Sequence, residues 1–161
     1  MKTTNTKKLL IVAHTPSSNT NAMATALLDG AEDDSINGVS AQLRTPFTCV
    51  SEDVLASDAL ILFTTENFGY MSGALKDFFE RIYYPCLEDE KRNQAKPYCL
   101  VIRAGLDGTG TESAVNKITQ GLNWKEVQPT MLCKGQFRKS FIGQCRELGQ
   151  TMAASLESSI I

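Results

Sequence analysis

Small polar residues follow the first apolar run of the sequence, in the loop His14-Thr15-Pro16-Ser17-Ser18-Asn19-Thr20. Backbone N–H groups, hydroxyls and a helix dipole can bind a phosphate together, even though this loop holds no lysine or arginine. The same residues can also serve simply as the N-terminal cap of a helix, and the residue pattern leaves both interpretations open. The Walker spacing G-x-x-x-x-G-K-[ST] is absent, which excludes a nucleotide-triphosphate loop of that kind.

Two further loops contain residues suited to holding a ligand. In Thr64–Ser72 the aromatic residues Phe68 and Tyr70 flank Gly69, and exposed rings at such a place favour stacking on a flat ligand. Gly69 would let the ligand approach the backbone closely. The third loop, Gly105–Gly110, has the spacing G-x-x-G-x-G, which differs from the dinucleotide-binding fingerprint.

Strand-like apolar runs alternate with helical periodicities around these loops, which is typical of an α/β fold with a parallel sheet. The predicted strands are Leu9–Ala13, Val39–Leu43, Ala59–Thr64, Tyr98–Ala104 and Glu126–Cys133. The predicted helices span about 19–31, 72–84, 111–121 and 139–157. Ser72 is the predicted N-cap of the second helix, and Pro85 is expected to end it.

The composition of the strands predicts their order. The first, third and fourth strands are continuously apolar, as strands covered on both faces must be. The second strand alternates, and the fifth contains Pro129, which cannot donate to a strand ladder. We therefore expect a three-layer, doubly wound sheet of five parallel strands in the order 2-1-3-4-5. Ligands of such sheets bind beyond the carboxyl ends of the strands, where the order reverses.

Length and composition limit the classes of protein that the chain can represent. Its 161 residues predict a single domain, 1–161, and 42% hydrophobic with 21% charged residues excludes intrinsic disorder. A net charge of −2 does not favour a nucleic-acid partner. No apolar run approaches the length of a membrane span, and the apolar stretch after Met1–Lys8 is too short for a signal peptide. A cytoplasmic protein without membrane contact is expected.

Cysteine and histidine offer little for catalysis or metal binding. The five cysteines are widely spaced without a C-x-x-C pair, and His14 is the one histidine, so we predict reduced thiols and no metal site. A hydrolase that used His14 with Ser17 or Ser18 would lack the G-x-S-x-G nucleophile elbow.

The loop after the first strand, the loop Thr65–Gly73 and the helix start Leu75-Lys76-Asp77-Phe78 together resemble the flavodoxin-like FMN-binding superfamily. Within it, the chain is most similar to the flavodoxin and NADPH-dependent FMN reductase branch. The resemblance covers nearly the whole chain, although the phosphate loop lacks the arginine that the FMN reductases often carry. The residues that the resemblance assigns to FMN are Thr15, Ser17, Ser18, Asn19 and Thr20 near the phosphate, and Thr65, Glu66, Asn67, Phe68, Gly69, Tyr70, Gly105, Leu106, Asp107 and Gly108 along the isoalloxazine ring.

By this resemblance the protein would be an oxidoreductase that uses FMN, takes hydride from NADPH or NADH and reduces a flavin or quinone. No side chain is assigned a catalytic role, because the cofactor carries the chemistry. The expected partners are a small-molecule electron donor and acceptor, and a homodimer is compatible with the resemblance. Two alternatives remain open: a one-electron carrier that docks on a redox partner protein, and a flavin-responsive interaction protein without turnover.

Overall fold

Strands and helices alternate along residues 5–161, the part of the chain that the computed structural model describes. Residues 1–4, which belong to the predicted domain 1–161 and to the segment Met1–Lys8, lie outside the described part of the chain. The strands are β1 (Lys7–Ala13), β2 (Val39–Arg44), β3 (Ala59–Asn67), β4 (Tyr70–Met71), β5 (Pro97–Ala104), β6 (Lys125–Glu126) and β7 (Met131–Lys134). The helices are α1 (Ser18–Ala31), α2 (Ser51–Leu55), α3 (Gly73–Glu88), α4 (Glu90–Asn93), α5 (Thr109–Gly121) and α6 (Ser140–Glu157).

The sheet confirms the predicted order. Its hydrogen-bonded path runs β2-β1-β3-β5, and both β6 and β7 pair with β5 on the far side. These pairs are parallel, and only the short β4 runs antiparallel, against the end of β3. The apolar runs of β1, β3 and β5 are buried, whereas β2 is partly exposed along its length, as an edge strand should be.

The predicted fifth strand, Glu126–Cys133, is wrong as one continuous element. β6 pairs with Pro97 and Tyr98 at the start of β5, and β7 pairs with its last four residues. The intervening residues 127–130 contain Pro129, whose ring nitrogen has no hydrogen to donate to a ladder. The proline therefore divides the edge strand as well as confining it to the edge.

The prediction that Pro85 ends the second predicted helix is also wrong. The helix, α3, continues through Pro85 to Glu88. Only one hydrogen bond is lost, since a proline at this position cannot donate to the carbonyl of Arg81, which lies on an exposed turn. Beyond the proline, Cys86 is completely buried in the core, and its burial favours one more helical turn.

Two hydrophobic layers cover the sheet. α1 and α6 pack over one face, where Met23, Leu27, Phe141 and Met152 are buried. α3 and α5 cover the other face together with α2 and Trp124. α1, α5 and α6 follow β1, β5 and β7, and α3 follows the short hairpin of β3 and β4, so the N-termini of these four helices lie at the carboxyl edge of the sheet. No helix within residues 5–161 has the length and apolarity that crossing a membrane would require.

Candidate functional site

The three loops selected from the sequence lie side by side at the carboxyl edge of the sheet. They follow β1, β3 and β5, which are neighbours in the sheet. The chain order reverses between β1 and β3, because the connection from β1 leads outward to β2 and the chain then returns to β3. This reversal opens the crevice in which doubly wound sheets bind ligands.

The loop after β1 ends in a reciprocal capping box. The Thr20 N–H donates to Ser17 Oγ at 3.2 Å, and the Ser17 N–H donates to Thr20 Oγ1 at 3.0 Å. The Thr20 hydroxyl also donates to the Ser17 carbonyl at 2.9 Å, and Thr20 is buried. The capping interpretation that the sequence left open therefore holds for Ser17 and Thr20, and the hydroxyl hydrogen of Thr20 is already used.

Several donors at the same helix end have no partner in the described part of the chain. They are the backbone N–H groups of Ser18 and Asn19 and the exposed hydroxyl of Ser18, with the half-exposed Thr15 hydroxyl beside them. The first turn of α1 contains no acidic residue. This helix end thus presents N–H and O–H donors and a positive dipole toward the crevice, a donor set that suits a phosphate.

The side chain of His14, the first residue of the loop after β1, contacts the loop after β2. Its backbone N–H donates to the Phe63 carbonyl at 3.1 Å, and its ring meets the ring of Phe47 edge-on, with centroids 6.2 Å apart. Burial lowers the pKa of the imidazole below its ordinary value, so the ring is neutral at pH 7. Phe47, which is 63% exposed, was not predicted as a site residue. The available signal was an aromatic residue in the short loop of residues 45–50 after the second predicted strand.

A strained two-residue turn connects β3 to β4. Phe68 has φ = +54° and Gly69 has φ = +74°, the signs that a type I′ hairpin turn requires. The left-handed region is unfavourable for a bulky residue such as Phe68. The Phe68 side chain is fully exposed, so no packing compensates for the backbone strain. Tyr70, directly after the turn, is 42% exposed. Backbone strain of this kind, without compensating packing, occurs most often at functional sites.

The start of α3 anchors this hairpin to the sheet. The Ser72 N–H donates to Thr64 Oγ1 at 3.0 Å, and Ser72 Oγ accepts from the Leu75 N–H at 3.1 Å, which confirms Ser72 as the N-cap. Thr64 and Ser72 are completely buried. Beside them, the Thr65 hydroxyl donates to Asn67 Oδ1 at 2.9 Å, which orients the exposed Asn67 amide.

Glu66 binds the third loop to the hairpin. Its carboxylate accepts from the Leu106 N–H at 3.1 Å and from the Gly108 N–H at 2.7 Å. The helix after this loop, α5, also touches the hairpin, because a Cβ at Gly110 would overlap the carbonyl oxygen of Gly69. Glu66 is therefore a link between the two loops, and Leu106, at the tip of the third loop, is left 78% exposed.

Asp107, in the third loop, binds the first residue of α5. Its carboxylate accepts from the Thr109 N–H at 3.0 Å and the Thr109 hydroxyl at 2.9 Å. These bonds, with a smaller contribution from the charge of Lys134, lower the pKa of Asp107. Asp107 therefore forms the turn into α5, and Gly105 and Leu106 provide the exposed surface of the loop.

One group of charged residues at this edge was missed in the sequence. The loop between β7 and α6 carries Lys134, Arg138 and Lys139, and Arg103 lies near the end of β5. The signal was the run Lys134-Gly-Gln-Phe-Arg-Lys139 directly after the last predicted strand, with three cations in six residues.

Comparison with known proteins identifies one matching family. The model of the family described as NADPH-dependent FMN reductase matches residues 6–137, which is most of the chain. No curated protein gives a significant match.

Several solved structures share the architecture. A flavodoxin from the domain Archaea aligns with a TM-score of 0.73 at 17% identity, over 92% of this chain and 98% of that chain. A flavodoxin, WrbA-like protein from Agrobacterium tumefaciens aligns with a TM-score of 0.73 at 16% identity, over 95% and 98% of the two chains. Rubredoxin oxygen:oxidoreductase from Desulfovibrio gigas aligns at 0.74 and 15% over 96% of this chain but 38% of that larger one. Identities this low show a common fold.

Proposed function

The chain belongs to the NADPH-dependent FMN reductase family of flavoprotein oxidoreductases, and from this we propose that it binds FMN and reduces a flavin or quinone with NADPH or NADH. The proposed site is the crevice between the loops after β1, β3 and β5. The strained and fully exposed Phe68 turn, at the point where the strand order reverses, is the observation that supports this proposal most directly.

The donors at the start of α1 fit the phosphate of FMN. The N–H groups of Ser18 and Asn19 and the hydroxyls of Thr15 and Ser18 would bind the dianion. Ser17 would hold the helix end in shape and can turn its own hydroxyl hydrogen outward, whereas Thr20 acts through the capping box. The loop after β1 contains no lysine or arginine, so its contribution to phosphate binding would come from hydrogen bonds and the helix dipole.

The hairpin and the third loop fit the isoalloxazine ring. Phe68 and Tyr70 offer aromatic faces, and Leu106 offers an exposed apolar side chain nearby. Glu66 fixes the spacing of the two loops through the Leu106 and Gly108 N–H groups. A ring bound here would rest on a preformed surface.

FMN, when bound, supplies the redox chemistry: two electrons and one proton leave the nicotinamide as hydride, and the electrons then pass to the acceptor. The protein's contribution is to bind, orient and expose the ring, since hydride transfer needs the reacting atoms about 3–3.5 Å apart. The open edge around Gly69 and Gly105, where an added Cβ would meet nothing within 4 Å, leaves room for a nicotinamide.

The test begins with the absorbance spectrum of the purified protein and titrations with FMN, FAD and riboflavin. FMN is expected to bind more tightly than the other two, because the loop after β1 suits a terminal phosphate dianion. Failure to bind FMN at micromolar concentrations would overturn the proposal.

A second experiment separates a reductase from a one-electron carrier. Anaerobic stopped-flow mixing of the FMN-loaded protein with NADPH or NADH should bleach the flavin absorbance. If neither nicotinamide bleaches it within minutes while dithionite does, the protein is a carrier for a redox partner protein.

A further inference from the structure

Four cationic side chains gather at the carboxyl edge next to the third loop. Arg103 lies near the end of β5, Lys134 ends β7, and Arg138 and Lys139 directly precede α6. The whole protein has a net charge of −2, so this is a local reversal of its charge. These four residues are called the cation cluster below.

Two guanidinium groups of the cluster converge on one aromatic ring. Cζ of Arg138 lies 4.9 Å from the centroid of the Phe141 ring, and Cζ of Arg103 lies 5.5 Å from it. Arg103 Nη1 also donates to the carbonyls of Ala104 at 2.7 Å and Cys133 at 3.1 Å. Arg103 is half-buried and held in place, while Arg138 is exposed. The ring thus keeps two like charges close together.

The cation cluster is not paired with carboxylates in the described part of the chain. None of its four members forms an ion pair within residues 5–161, although six other ion pairs exist there. Asp107 is an acidic neighbour of Lys134, and its carboxylate accepts two hydrogen bonds from Thr109. α6 adds the positive end of its dipole, and its first turn contains no acidic residue. Such an arrangement is unfavourable by itself and becomes favourable when an anion binds.

The strand order separates the cation cluster from the loop after β1, because β3 and β5 lie between β1 and β7. Gly135 N–H donates to the Ala104 carbonyl at 3.0 Å, so the β7–α6 loop borders the third loop directly. The bond from Arg103 to Cys133 directs its guanidinium toward β7 and away from β3 and β1. In the strand order, the loop with the phosphate donors follows β1, on the other side of β3 from the cation cluster.

We infer that the cation cluster binds a phosphate group of the dinucleotide electron donor. The inference rests on the proposed function, in which a nicotinamide lies over the ring loops and the rest of the dinucleotide must extend to one side. The side of β7 offers two arginines and two lysines, whereas the loop after β1 offers no cation. A planar guanidinium donates two parallel hydrogen bonds to a phosphate. The phosphate is either the 2′-phosphate of NADPH or the pyrophosphate that NADPH and NADH share.

The first experiment is calorimetric titration of the FMN-loaded protein with adenosine 2′,5′-bisphosphate and with 5′-AMP. Bound FMN keeps these ligands out of the α1 phosphate site. The variants are Arg138→Ala and Lys134→Ala. The control is Lys117→Ala, because Lys117 is an exposed lysine on α5, outside the cluster, that forms no ion pair with residues 5–161. We expect binding of the bisphosphate to weaken about tenfold or more in Arg138→Ala and to change less than twofold in Lys117→Ala.

The second experiment measures KM for NADPH and NADH in the same variants. A rise for NADPH alone assigns the 2′-phosphate to the cluster, and a rise for both assigns the pyrophosphate. Failure of the wild-type protein to bind adenosine 2′,5′-bisphosphate would overturn the inference. Equal effects of Arg138→Ala and Lys117→Ala on binding and on both KM values would also overturn it. In either case, FMN binding and bleaching by a nicotinamide would leave the proposed function intact.

Discussion

The backbone N–H of Gly108 donates a 2.7 Å hydrogen bond to Oε2 of Glu66, and through it the third loop is bound to the hairpin 42 residues earlier. Oε1 of the same carboxylate accepts from the Leu106 N–H. Because a carboxylate has only acceptor sites, it can satisfy both N–H groups at once. The distance between the two ring loops thus depends on one side chain.

Replacing Glu66 with glutamine should separate these loops. The amide oxygen can accept from one N–H, but its NH2 group then faces the other donor and cannot accept. We expect FMN binding to weaken by at most about 1.5–3 kcal/mol, the contribution of a hydrogen bond to a charged group, because the loops must then be brought together when FMN binds. Fluorescence titration with FMN measures this loss of affinity. Glu90→Gln is the control, since Glu90 is an exposed residue of α4. Equal affinities in the two variants would show that Glu66 does not set the loop spacing.

The elements that residue patterns could predict are those governed by local chemistry. Continuous apolar runs identified the central strands, and the cap at Ser72 followed from its place before a periodic helix. The partners of Glu66 could not be predicted, because they lie 40 and 42 residues away and depend on neighbouring strands meeting at one edge. The turn at Phe68 opposes local preference, since asparagine or glycine is the usual residue there. Strained functional positions are the places where local rules are expected to fail.

Replacing Phe68 with asparagine should stabilise the free protein. Asparagine tolerates the left-handed conformation, and the exposed Phe68 side chain contributes no burial that would be lost. We expect a gain of about 0.5–1 kcal/mol in urea unfolding, together with weaker FMN binding, because strain at such a position costs about 1–3 kcal/mol. Phe47→Asn is the control, as Phe47 is exposed without a positive φ, and it should bring no gain. A loss of stability in Phe68→Asn would contradict this account of the turn.

Ser18 and Thr20 should respond differently to substitution. Thr20→Ala removes the buried half of the capping box and should lower the free energy of unfolding by about 0.5–2 kcal/mol. Ser18→Ala leaves the box intact and should instead weaken FMN binding by about 1.5–3 kcal/mol. Urea unfolding and FMN titration of both variants measure these effects. If Ser18→Ala binds FMN as tightly as the wild-type protein, the Ser18 hydroxyl does not contact the phosphate.

The stability of the free protein should fall below pH 6.5 because of His14. Burial lowers the pKa of the folded imidazole, while the unfolded chain retains the ordinary value of 6.5. Between these two values the unfolded state binds a proton that the folded state does not, so stability is full above pH 6.5 and is lost as the pH falls. Urea unfolding at pH 7.5 and 5.5 should show a smaller decrease in His14→Gln than in the wild-type protein. An equal decrease would exclude His14 as the cause.

FMN binding should raise the pKa of His14 toward or above its ordinary value. The imidazole adjoins the loop whose free N–H and hydroxyl groups are proposed to bind the phosphate, and a nearby dianion favours the charged imidazolium. Since the sequence contains a single histidine, its ring C–H signals can be followed by NMR across the pH range without assignment. Riboflavin is the matched control, because it carries the same ring without the phosphate and should leave the pKa lowered. Identical titration curves with FMN and riboflavin would mean that the phosphate binds away from the start of α1. The proposal that Thr15, Ser18 and Asn19 bind the phosphate would then be wrong.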